Sequence, residues 1–159
     1  MSVAFRNVDG RPGVPIEHWP YEAIVASIER GTLADWLPIV RAIKASPWGE
    51  VARQVEEYLG YSAPYGVGPL LRRTIERARV EREQAERGEV SRRVRDAVSR
   101  SGATRAEFAR AIGTSRSRLS TYCSGTVVPS AALLVRIEYL AGLLQSGEAG
   151  GRDEGAERG

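Results

Sequence analysis

Residues 94–144 read VRDAVSRSGATRAEFARAIGTSRSRLSTYCSGTVVPSAALLVRIEYLAGLL, and the caps and glycines in this stretch decide the fold of the carboxy-terminal half. Val94, Ala97 and Val98 recur at helical spacing and give a first helix an apolar face, which Ser101-Gly102 ends. Thr104-Arg105-Ala106-Glu107 is a capping box, in which the threonine hydroxyl accepts the Glu107 amide and the Glu107 carboxylate reaches back to the cap. The helix it opens turns Phe108, Ala109 and Ile112 inward, and Gly113 supplies a turn. Ser115 caps a second short helix over 116–124, which buries Leu119 and Tyr122 and stops at Gly125. Pro129-Ser130 starts a further helix with Leu133, Leu134, Ile137 and Leu140 at helical spacing.

A helix with a small residue for close approach (Ala109), a glycine turn, and a second helix of nine or ten residues is the helix-turn-helix arrangement. The stretch resembles the lambda-repressor-like helix-turn-helix family, also called the XRE family. The matching pieces are T-R-A-E-F-A-x-x-I-G-T-S over 104–115, L-S-x-Y over 119–122 and G-x-x-x-P-S-x-x-x-L over 125–134. They fall within 89–144, about a third of the 159 residues.

The resemblance implies double-stranded DNA as partner, with the second motif helix in the major groove. By matched position it implies Arg116, Ser117 and Thr121 as base-reading residues, with Arg118 close to the backbone or bases and the Ser115 cap also among the DNA-binding residues. Arginine suits bidentate contact with guanine O6 and N7, and serine is permissive. Arg105 matches a phosphate-contacting position, where the amides of the helix start would add to it. Thr126 and Ser130, flanking the loop after the recognition helix, are further phosphate candidates. One departure stands out. Many members pair an arginine on the first helix with a glutamate late in the recognition helix, and here those places hold Val98 and Cys123. Packing is expected to replace the ion pair, an exchange that is often neutral for stability.

Charge follows the same division. Residues 1–68 carry 6 basic and 8 acidic side chains, 69–88 carry 6 and 4, 89–145 carry 9 and 4, and 146–159 carry 2 and 4. The basic excess gathers where the DNA-binding pattern lies, as counterion release at phosphates favours. Lys44 is the only lysine among the 23 basic residues, so the choice of arginine says less than its regional excess.

The amino-terminal half resembles no family. Residues 1–15, with Gly10, Pro12, Gly13 and Pro15, read as an irregular lead-in. A helix starting at Pro20 carries Ile24, Val25 and Ile28 and stops at Gly31. Thr32 or Asp35 caps the next, with Leu37, Val40 and Ile43 on one side; Pro38 asks that this helix effectively begin near Asp35. Ser46-Pro47 reads as a cap and a first helical residue, opening a helix through Val51, Val55, Tyr58 and Leu59 to Gly60. A turn-rich loop over 61–68 precedes a helix opened by Pro69. The stretch 80–88 is nearly devoid of apolar residues and reads as a charged connecting helix or a hinge with Gly88 its weak point; Glu83–Arg87 is its ion pair at i,i+4. Trp19, Trp36 and Trp48 fall in this half with Tyr21, Tyr58, Tyr61 and Tyr65, as a helical core or as a surface for dimerisation or a protein partner.

Residue usage narrows the chemistry. With Cys123 and His18 each alone of their kind, neither a disulfide nor the usual zinc sites can be assembled within the chain, and His18 sits in what reads as a helix entry. No apolar run approaches the roughly 18–20 residues of a membrane span, and the amino terminus lacks a secretory layout. No enzyme, cofactor or metal is expected, and the cytoplasm is the default location. The expected class is all-α: lead-in 1–15, a small helical amino-terminal domain 16–79, the connector 80–88, a four- or five-helix lambda-repressor-like domain 89–145, and a disordered tail 146–159. Two functions fit. One is a transcription regulator, a repressor binding DNA as a homodimer. The other is an antitoxin whose amino-terminal half binds a toxin while the carboxy-terminal domain autoregulates the operon.

Overall fold

The computed structural model describes residues 13–151. Seven α-helices and one 3-10 turn make up its regular structure, and no strand occurs among the described residues. The chain divides into two compact units, residues 1–83 and 84–159, each with its own core.

Unit 1 begins with a 3-10 turn at Ile16–His18 and helix α1 at Tyr21–Arg30, capped by Pro20. Gly31 closes α1 by donating its N–H to the Ser27 carbonyl at 3.0 Å. The same carbonyl accepts the Trp36 indole N–H at 3.0 Å, which fixes the approach of the next helix. That helix, α2, spans Leu33–Ala45. Its start is a capping box in which the Asp35 carboxylate accepts from both the amide and the hydroxyl of Thr32. Pro38 therefore lies well inside α2, against the expectation of a start near Asp35. The box, together with Ile39, Ala42 and Ile43 in the core, holds the helix across the hydrogen bond that Pro38 cannot donate.

Helix α3 spans Glu50–Tyr61 with Gly49 at its cap, so the expected start at Ser46-Pro47 is three residues early. Ser46 instead closes α2, and its carbonyl accepts the Gly49 N–H at 2.9 Å across a turn that holds Pro47 and Trp48. A Cβ on Gly49 would lie 2.6 Å from the Ser46 hydroxyl, so the turn needs glycine for space. The buried isoleucines of α1 and α2, with Val51, Val55, Tyr58 and Leu59 of α3, form one core. The aromatics divide between core and surface. Tyr58 is buried, while Trp19, Tyr21 and Trp36 pack partly exposed against the core. Trp48, Tyr61 and Tyr65 face solvent.

Helix α4 runs unbroken over Val67–Arg100, in place of the two helices and connector expected there. Val67, Leu71, Ile75 and Ala78 enter the core of unit 1; Val94 and Ala97 enter that of unit 2. Residues 81–89 between them are all exposed. The stretch 80–88 is thus helical; Arg77 pairs with its Glu81 at 2.8 Å, and Glu83 and Arg87 form no ion pair among the described residues. Unit 2 continues with α5 (Arg105–Ala111), α6 (Arg116–Ser124) and α7 (Ala131–Gly151). Phe108, Ile112, Leu119, Tyr122 and Ile137 are buried together in its core. The tail expected to be disordered from 146 is helical as far as Gly151, and the remainder of that segment lies outside the described residues, as do residues 1–12 of the lead-in. No described helix is long and apolar enough to cross a membrane.

Candidate nucleic-acid interface

The capping box at Thr104 opens α5. The Thr104 hydroxyl accepts the Glu107 amide at 3.3 Å, and the Glu107 carboxylate accepts the Thr104 amide at 2.9 Å and hydroxyl at 2.6 Å. These bonds, led by the one from the hydroxyl, hold the Glu107 carboxyl below its usual range. The start of α5 therefore already carries a carboxylate, and the Glu107 amide, one of the donors expected to face phosphate, is occupied. Arg105, the first residue of α5, projects into solvent with no hydrogen bond or ion pair among the described residues.

The turn is a Schellman motif. Thr114 N–H donates to the Ala109 carbonyl at 2.9 Å and Gly113 N–H to the Arg110 carbonyl at 3.1 Å. Gly113 takes φ +81°, which an L side chain rarely adopts. Arg136 of α7 reaches back and donates to the Ile112 carbonyl at 3.2 Å, tying the turn to the core helix beneath it. Ser115 then caps α6 by accepting the Arg118 amide at 3.1 Å.

Leu119, Tyr122 and Cys123, at i, i+3 and i+4, bury one face of α6. The other face is left to solvent with Arg116, Ser117, Arg118, Ser120 and Ser124, and Thr121 lies half-buried at its edge. The candidate residues differ in how free they are. Arg116 has no internal partner among the described residues. Arg118 is drawn along its own helix, where Nε donates to the Tyr122 hydroxyl at 3.0 Å. The Thr121 hydroxyl donates to the Arg118 carbonyl at 2.7 Å. Thr126 pairs with the Ser124 hydroxyl at 2.8 Å, and Ser130 caps α7 by accepting the Leu133 amide at 3.2 Å. Among the candidates on α6, Arg116 and Ser117 are thus the most available.

Val98 and Cys123 do lie in one apolar cluster, Cys123 buried and Val98 partly so. The polar tie between α4 and α6 comes from a residue outside the matched positions. Arg95 donates to the Cys123 carbonyl at 2.6 Å and to the Ser91 hydroxyl at 3.0 Å. Arg95 sits one turn before Val98, and a search for charge limited to the matched position misses it. A second overlooked group, Ser91, is buried against Gly125, where α6 ends in a left-handed residue at φ +77°. Arg93 and Glu138 close the contact between α4 and α7 with an ion pair at 2.6 Å.

No family model, curated protein or solved structure matches the chain. The chemistry of the surface itself is therefore what bears on its role. Among the described residues no cluster of histidine, cysteine and carboxylate side chains could hold a metal ion.

Proposed function

We propose that the protein is a sequence-specific DNA-binding transcription regulator, a repressor, that places α6 in the major groove. The observation that carries this reading is the solvent face of α6, where Arg116 and Ser117 stand unengaged at the start of a helix held by a Schellman turn and a serine cap. An arginine presented on a rigid helix start suits bidentate reading of guanine, since its rotamer freedom is the main thing ordered on binding. Arg105 supplies a phosphate contact from the first turn of α5. The local excess of basic over acidic side chains in 89–145, 9 against 4, provides the long-range attraction.

Homodimerisation belongs to the same proposal, with half-sites about one helical turn apart. Its support is the outward stripe of α7. Val135, Tyr139 and Leu143 are 65%, 68% and 51% exposed at i, i+4 and i+8, and Arg136 at the edge of the stripe is drawn back to the Ile112 carbonyl. A helix apolar on both sides favours burial of both. An apolar stripe is also compatible with a second copy of itself.

Selection of bound sites from random DNA with the full-length protein tests the reading. Arg116→Ala is expected to cost about 1–3 kcal/mol at the selected site and to relax its preference there. Arg105→Ala is expected to weaken all sequences alike and to lower the salt slope by about one. Failure of the wild type to enrich any sequence, or unchanged selection by Arg116→Ala, overturns the assignment.

A second reading, the antitoxin, is favoured by one observation: unit 1 leaves Leu33, Leu37 and Leu70 uncovered. DNA binding by α6 gives no use for that surface. A small toxin-like gene beside this one separates the two readings.

A further inference from the structure

We propose that the groove between α2 and the first turns of α4 in unit 1 docks an amphipathic helix of a partner protein whose apolar stripe is edged by carboxylates. The groove encloses about 520 Å³. Its floor is set by Leu33 and Leu37 of α2 and Leu70 of α4, exposed by 64%, 42% and 43%. Three half-exposed leucines converging in one concavity are unlike the single apolar side chains scattered over most surfaces. Both walls are helices, so the space between them is a trough of the kind a third helix fills with residues at i, i+3, i+4 and i+7.

The rim selects the charge of the occupant. Lys44, Arg73 and Arg77 border the groove, and its one carboxylate, Glu81, is already held by Arg77 at 2.8 Å. Lys44 and Arg73 have no internal partner among the described residues. This basic rim is a local excess, since residues 1–83 carry 11 basic and 11 acidic side chains. An apolar floor with unpaired cations along the edge favours a helix bearing Asp or Glu beside its leucines, and it disfavours basic helices by like charge. The α7 stripe of a second copy, which carries no flanking excess of carboxylates, matches this rim poorly. The inference uses unit 1 alone, so it stands or falls independently of DNA binding.

The probes are three synthetic peptides of about four helical turns. One carries leucines at i, i+3, i+4 and i+7 flanked by glutamates. The second has lysine in place of each glutamate, and the third keeps the glutamates but replaces the leucines by serine. Binding to the full-length protein is followed by fluorescence anisotropy without DNA. The acidic leucine peptide is expected to bind at least about tenfold more tightly than either of the others. Leu37→Ser is expected to abolish that binding, and Lys44→Glu to weaken it about tenfold, with circular dichroism showing both variants folded. Zero-length carbodiimide coupling adds a positional readout, because Lys44 is the only lysine of the chain. A peptide carboxylate should become joined to Lys44. Equal binding of acidic and basic peptides, no binding of the acidic one, or binding unmoved by Leu37→Ser overturns the proposal. It is also overturned if the groove proves to be a contact between copies of the chain, with Leu37→Ser dissociating a dimer in sedimentation. Capture of anionic phospholipid vesicles in place of the acidic peptide overturns it as well.

Discussion

The Arg95 guanidinium reaches from α4 to a carbonyl at the end of α6, where helix carbonyls lack intrahelical partners. Its removal leaves the Cys123 carbonyl of a buried residue without that donor, and a charged donor contributes more than a neutral one. Arg95→Ala is therefore expected to lower the stability of unit 2 by about 1.5–3 kcal/mol in urea unfolding. The loss at Arg95→Met should be smaller, because the aliphatic stem is kept. This residue also marks what a sequence conceals. The caps Thr104, Ser115 and Ser130 and the glycines 113 and 125 are legible because their effects act within a few residues. A side chain bridging to a backbone carbonyl 28 positions away leaves no local pattern. Nor does sequence tell that Arg118 lies against Tyr122 while Arg116 does not. At Glu107 the depressed pKa sets a pH dependence. Its carboxylate form is favoured in the folded state, so its contribution is present above the unfolded value of about 4.3 and is lost as pH falls through the lower folded one. In acid titrations, Glu107→Gln should be less stable than the wild type near neutrality, with the difference closing below that window. A constant difference down to strong acid would show that the carboxylate is not what the cap requires.

Helix starts are hard to place from sequence where two signals compete. Ser46-Pro47 has the composition of a cap and a first residue, yet Ser46 is taken as the end of α2 and the helix waits for Gly49. At α2 the capping box outweighs the penalty of an internal proline. The length of α4 is the larger surprise. Gly88 suggests a break, but Leu71, Ile75 and Ala78 on one side and Val94 and Ala97 on the other anchor the helix in two cores. The nine exposed residues 81–89 then need only ordinary helix propensity to continue. A Cβ added at Gly88 would meet no atom within 4 Å, and the residue lies at ordinary helical φ. Gly88→Ala is thus expected to stabilise by about 0.5–1 kcal/mol, read as slower amide exchange across 81–89. Gly113→Ala, by contrast, is expected to destabilise by about 1–2 kcal/mol although its nearest neighbour is 3.9 Å away, because its φ of +81° is the obstacle. An equal response at the two glycines in thermal melts would contradict the helical account of 81–89.

On the scale of the molecule, two cores share one helix whose middle packs against neither. Local opening is easiest where side chains bury nothing, so limited trypsin digestion is expected to make its first cut within the described residues after Arg87. Both fragments should keep helical circular dichroism. A first cut within α5 or α6 would place the weakest region elsewhere. Fold class and the elements of unit 2 are legible because short-range signals agree there, whereas unit 1 hides its groove in the convergence of Leu33 and Leu37 with Leu70. The placement of the aromatics has a practical outcome. Trp19 and Trp36 donate their indole N–H groups to the Val14 and Ser27 carbonyls, Trp48 lies beside the Arg79 guanidinium, and all three belong to unit 1. Selectively excited tryptophan emission is consequently a built-in reporter of one unit and silent about the other. Titrated with DNA, it stays constant if the units act separately and shifts if an event at α6 is felt in unit 1, so communication between them can be measured without attaching a dye.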